Sequence, residues 1–143
     1  MVPKGTWSVE FHPSCEAWAS DLEQQDAEAL LAAIRVLRGA GPTLGRPLVD
    51  TIKGSRHPNM KELGPGSTGR TKIRVLFAFD VERQAILLVG GDKSDDWTGS
   101  YKVNIPIADE RFDEHQHKIT ERRPKAAKGA QNKKRSEKGK RRR

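Results

Sequence analysis

Apolar and polar residues alternate over Thr6-Trp7-Ser8-Val9-Glu10-Phe11, which predicts a strand with Trp7, Val9 and Phe11 turned inward. Pro13 and Ser14 break that pattern and a helical one follows. Between 21 and 38, Leu22, Ala29, Ala33, Val36 and Leu37 fall near one stripe, joined by Leu30 and Ile34. Gly39 and Gly41-Pro42 end it in the usual Gly-then-Pro order. Residues 14–38 are therefore expected to form a bent helix or a helical hairpin. Residues 41–56 hold Gly45, Pro47 and Gly54 and predict an ordered loop.

Strand patterns return at 57–63, 72–80 and 84–92. In the second, Ile73, Val75, Phe77 and Phe79 share one face, which turns Lys72 and Arg74 to the other. The run from Ala85 to Val89 barely alternates, as expected of a central strand buried on both faces. Gly64-Pro65-Gly66-Ser67-Thr68-Gly69 reads as a turn-rich link, and Asp80-Val81-Glu82-Arg83 as a short hairpin connection. A short polar helix is predicted at 109–120. The order strand, helices, three strands, helix gives an α+β class. N-terminal helices should pack on one face of a compact, mainly antiparallel sheet, a short helix should end the domain at 120, and the other face should stay open to a ligand.

Composition moves the picture at one place. The chain of 143 residues carries a net charge of +8, yet residues 121–143 alone carry +10, from twelve Lys/Arg against two Glu, and residues 1–120 carry −2. The basic excess belongs to a tail without large apolar side chains, expected to be disordered because it cannot bury enough surface to offset ordering. The tail is a candidate RNA-binding extension; a merely solubilising one is the plainer alternative. In the folded part, cations matter only where they cluster. Lys72 and Arg74 on one strand face suit an anionic partner, with RNA or DNA first in mind.

Other chemistries find little support. A single cysteine, Cys15, allows no intramolecular disulfide and no Cys-based zinc site, fits a reducing cytoplasm, and is expected to be an inert thiol. No apolar run approaches ~18 residues and no export leader is legible, so no membrane association is expected. His115-x-His117 is the one zinc-like spacing, but positions i and i+2 of a helix do not share a face. No phosphate-binding P-loop is present. Neither metal nor cofactor is expected.

A metal-free cationic cleft can still cleave RNA. The 2′-hydroxyl attacks the adjacent phosphate, and catalysis needs a base, an acid and positive charge near the phosphorane. Lys61, Lys72, Arg74, Lys93 and Tyr101 are the candidates for the open face, with Glu62, Arg70, Asp92 and His115 close in sequence. Arg74 and Lys61 could supply charge, Tyr101 could stack on a base or move a proton, and a lysine among other cations could act as base. The plainer readings are solvated strand cations, a half-buried tyrosine and a surface histidine.

The runs Met60-Lys61-Glu62-Leu63, Gly69-Arg70-x-Lys72-Ile73-Arg74-Val75-Leu76-Phe77 and Gly90-Gly91-Asp92-Lys93 resemble the RelE/HigB superfamily, and more closely its phage-derived, HigB-type branch. The pattern continues through Trp97, Tyr101, Ile105-Pro106, Ala108-Asp109 and Asp113-x-His115, so the resemblance covers about residues 6–118. It implies a RelE-like sheet with N-terminal helices and a cytoplasmic toxin of a type II toxin–antitoxin system. It further implies ribosome-dependent mRNA cleavage that inhibits translation, and neutralisation by a cognate antitoxin of the helix-turn-helix type. By position, Lys61 resembles the basic residue of the first active-site strand and Arg74 the arginine that holds the scissile phosphate. Lys93 takes the place of the basic residue after the last strand, and Tyr101 that of the stacking tyrosine. Some HigB toxins use histidine and aspartate near the C-terminus, which brings His115 and Asp113 forward; Arg70 and Lys72 would contact RNA. The alternatives are a non-cleaving partner or co-repressor of the antitoxin and a ParE-like gyrase inhibitor.

Overall fold

The computed structural model describes residues 6–65, 73–92 and 97–138, with side chains over 101–122 in the last stretch. The expected turn at 66–69 and the candidates Arg70, Lys72 and Lys93 lie outside the described residues. The chain forms β1 (Ser8–Phe11), α1 (Pro13–Ser20), α2 (Gln24–Ala40), a 3-10 turn (Gly41–Thr43), β2 (Val49–Thr51), β3 (Lys61–Leu63), β4 (Ile73–Phe79), β5 (Gln84–Asp92) and α3 (Trp97–Lys138). The five strands make one sheet in the order β1-β5-β4-β3-β2. Every pairing is antiparallel except that of β1 with β5, which is parallel.

Local chemistry explains the boundaries. Pro13 opens α1, where its missing N–H costs nothing, and His12 Nδ1 accepts the Ser14 N–H at 3.1 Å. Gly41 ends α2 at φ +60, with the Trp7 indole 2.5 Å from where a Cβ would stand. Between β4 and β5 the Asp80 carboxylate accepts the N–H groups of Glu82 and Gln84, at 2.8 and 2.9 Å, which fixes the tight turn.

The sheet is buried on both faces. On the first, Leu30, Ala33, Ile34 and Leu37 of α2 and Cys15 of α1 pack with Leu63, Ile73, Val75, Phe77 and Leu87. On the second, Ile105, Ala108 and Phe112 of α3 pack with Met60, Leu76, Ala78, Ile86, Leu88 and Val89. A bulge adapts β5 to this second layer. Leu76 pairs with Val89 and Phe77 with Leu87, so Leu88 has no partner in β4, and Leu88 and Val89 both join the second core. The Leu88 carbonyl accepts a hydrogen bond from Arg111 Nη1 at 2.6 Å.

Three expectations are corrected. The face opposite the N-terminal helices is not left open, because Leu76 and Ala78 interleave with the first-face residues of β4 and need their own cover. The C-terminal helix begins at Trp97, not 109, and its backbone continues to Lys138; Pro106 inside it masks the helical spacing of Tyr101, Ile105, Ala108 and Phe112. The strand expected over 57–63 is only Lys61–Leu63, and β2 lies inside the expected loop. The chain divides into a unit ending at Phe112 and a second starting at Asp113. The second is the remainder of α3, with an exposed His117–Glu121 pair at 3.1 Å. Among the described residues no helix is long and apolar enough to cross a membrane.

Candidate active site

Alternation along β3 separates its two charged residues. Lys61 lies opposite Thr51 and Phe77, on the first face with Leu63. Glu62 lies opposite Asp50 and Leu76, on the second face. Arg74 precedes Leu76 by two positions in β4 and so shares that second face. Its guanidinium passes over Gly64, with Nε 3.2 Å from where a Cβ would stand, so glycine there leaves the cation room. Arg74 Nη1 donates to the Ile73 carbonyl at 2.8 Å, and among the described residues no carboxylate pairs with it.

Tyr101, in the first-unit portion of α3, reaches this face. Its hydroxyl donates to Glu62 Oε2 at 2.7 Å, and Glu62 is only 8% exposed. Two shallow cavities meet at this point. One of about 240 Å³ is lined by Thr51, Ile52, Lys53, Tyr101 and Ile105. The other, of about 270 Å³, is lined by Arg46, Pro47, Leu48, Gly64 and Arg74. Asp50 and Glu62 line both.

Two carboxylates directly opposite on neighbouring strands repel. Here each has its own donor: Arg46 Nη2 reaches Asp50 Oδ2 at 3.1 Å, and Tyr101 reaches Glu62. The side-chain hydrogen bond from Arg46 holds the Asp50 carboxyl below its ordinary value. The site thus offers a cation without a carboxylate partner among the described residues, a phenol–carboxylate hydrogen bond and a concave approach.

Of the sequence candidates, Tyr101 bonds Glu62 and Arg74 lines a cavity with it on the same sheet face. Lys61 does not join them, because strand alternation turns it to the other face. Asp113 and His115 belong to the second unit, on α3. Glu62 was expected only as a sequence neighbour of the candidates, and Asp50, Arg46 and Lys53 were not among them. Placing Leu63 in the first core would have put Glu62 on the second face, whereas Asp50 gave no strand signal. Burial pushes the Cys15 thiol up from 9.0 to about 12, against a weaker opposing pull from Arg111, which suits an inert residue. Among the described residues no three His, Cys, Asp or Glu groups gather as metal ligands would.

Residues 17–113 match the family "Phage derived protein Gp49-like (DUF891)". The chain is 52% identical to the candidate toxin HigB2 of Mycobacterium tuberculosis over 112 residues, 78% of this chain, and spans only 56% of that protein. It is 50% identical to the candidate toxin HigB3 of the same organism over 99 residues, 69% of this chain and 84% of that one. Among solved structures, a double arginine-to-alanine mutant of the E. coli toxin RelE in the free state superposes with a TM-score of 0.51 at 13% identity. That match covers 69% of this chain and 96% of RelE and speaks to the fold alone. The chain belongs to the phage-derived Gp49-like family, in which its curated relatives are the HigB2 and HigB3 proteins.

Proposed function

We propose that this chain is the toxin of a type II toxin–antitoxin system and that it arrests translation by cutting ribosome-bound mRNA, with arginine supplying the charge that a metal supplies in other nucleases. The observation that carries the reading is Arg74, without a carboxylate partner among the described residues, on the same sheet face as the Tyr101–Glu62 pair. A phosphate resting on that guanidinium would bring the attacking 2′-hydroxyl into a cavity that holds groups able to move protons. Positive charge aimed at the phosphorane is worth most in such a partly desolvated place. Tyr101 stacks on a base or transfers a proton. Lys93, Arg70 and Lys72 contact the RNA, and Lys61 adds charge from the first face of the sheet. His115 and Asp113 are the reserve candidates for proton transfer. The partners are mRNA, the ribosome and a cognate antitoxin of the helix-turn-helix type, all in the cytoplasm.

Expression should halt protein synthesis and leave mRNA ends mapping within codons. Arg74→Ala should lower single-turnover cleavage by about 10²–10³-fold, the usual effect of removing one transition-state donor. Full arrest by that variant would remove Arg74 from the site. A second reading has one observation in its favour: Asp50 and Glu62 beside Arg74 would repel a phosphate. A toxin-fold partner of a repressor that does not cleave would bind its antitoxin and leave mRNA uncut.

A further inference from the structure

Glu62 and Asp50, opposite each other on β3 and β2, both line the two cavities. The cavity on one side holds Arg74, the other holds Tyr101, and the Glu62 carboxylate lines both. From this position we infer that Glu62 is the general base of the cleavage and Tyr101 its paired general acid, an inference that rests on the RNA-cleaving reading above.

The charged and titratable groups around Glu62 narrow the choice. Asp50 lies opposite it on β2, Arg74 of β4 lines a cavity with it and Tyr101 bonds it from α3; Lys53 lines the Tyr101 cavity and Arg46 the Arg74 cavity. Asp50 is the only other carboxylate in the set, and its hydrogen bond from Arg46 holds its proton affinity down, which makes it the poorer base. Lys61 is turned to the other face and Arg74 cannot give up a proton. Of the two carboxylates, both lining the Arg74 cavity, Glu62 is the one that shares a hydrogen bond with a second group able to carry a proton.

The step balances without a co-reactant. Glu62 takes the proton of the 2′-hydroxyl as that oxygen forms its bond to phosphorus. The phosphorus–5′-oxygen bond breaks, and the Tyr101 phenol gives its proton to the departing oxygen. The products are a 2′,3′-cyclic phosphate and a free 5′-hydroxyl. Glu62 is left protonated and Tyr101 ionised, hydrogen-bonded to each other, and one proton passing along the 2.7 Å bond restores the starting state. A pair that resets itself needs no water in the pocket.

The discriminating variant is Glu62→Gln, whose amide oxygen still accepts the Tyr101 hydrogen bond but cannot take a proton. If Glu62 only orients Tyr101, this variant stays active. If it is the base, single-turnover cleavage on mRNA-programmed ribosomes by the full chain falls by roughly 10²–10⁴-fold. The ascending limb of the wild-type pH profile should then disappear while the apparent substrate affinity holds. A second measurement stands apart from the stability of that variant. Tyr101→Phe should be slow on ordinary mRNA and regain most of its rate on RNA with sulfur in place of the 5′-bridging oxygen, because a thiolate leaves without a proton. Cleavage by Glu62→Gln within a few-fold of wild type, or no rescue of Tyr101→Phe by the thio substrate, overturns the inference and leaves the toxin reading standing. Absence of cleavage by the wild-type chain would instead bring down that reading and this one together.

Discussion

At Gly90 the helix layer and the sheet come into contact with no space between them. A Cβ there would lie 2.2 Å from the Trp18 ring, so α1 rests on bare backbone of β5. Gly90→Ala should therefore cost about 1–3 kcal/mol, the usual penalty for overpacking a filled site. A urea denaturation midpoint unchanged from wild type would show that the indole gives way. At the candidate site, the sheet face of Arg74 was legible from its place in an alternating strand, and Tyr101 was expected there from its chemistry and the family resemblance. Glu62 was hidden by its neighbours: between Lys61 and Leu63 it reads as a solvated strand position, and the Tyr101 hydroxyl that gives it a purpose comes from far along the chain. Lys61 entered as a cation expected on the open face and by resemblance to the basic residue of the first active-site strand, whereas a period of two puts it and Glu62 on opposite faces.

Among the elements, the link between β2 and β3 shows how a segment without regular structure is held. Ile52 N–H donates to the Met60 carbonyl at 3.1 Å and closes it. The buried Asp109 carboxylate accepts the Ser55 hydroxyl at 2.5 Å and the Arg56 N–H at 3.2 Å, while the His57 ring meets Phe112 edge-on at 5.0 Å. Asp109→Ala would leave both donors without that acceptor and should lower stability by about 1–3 kcal/mol. Faster hydrogen exchange at the Arg56 amide would be the local sign, and unchanged protection would show that another acceptor replaces the carboxylate. The same segment marks where sequence reading ran out. Three-residue β2 is too short to show a period, and its register against β3 comes from pairing, not from its own residues. The strand β4 was legible in place and length but only half so in burial. Its run Val75-Leu76-Phe77-Ala78-Phe79 is apolar on both faces, which already called for a second covering layer.

For the molecule as a whole, the separation of charge was legible from composition alone, since residues 121–143 carry +10 and the rest −2. The match to the Gp49-like family ends at Asp113, beside the boundary between the two units, so most of that charge lies outside what the family shares. If the tail contacts ribosomal RNA, deleting 121–143 should weaken ribosome co-sedimentation and flatten its dependence on salt, because each phosphate contact releases counterions. Equal salt slopes with and without the tail would make it a solubilising extension. The extent of α3 was not legible, because Pro106 and Pro124 both argue against a continuous helix. The parallel pairing of β1 with β5 governs the order in which the chain can be completed. Ser8 through Phe11 pair with Gln84 through Leu87, so the first strand to be synthesised has no place in the sheet until the last one exists. A nascent or truncated chain that stops short of β5 lacks more than its C-terminal half. Its N-terminal strand is left with an unpaired edge, so an incomplete copy has no route to the finished sheet.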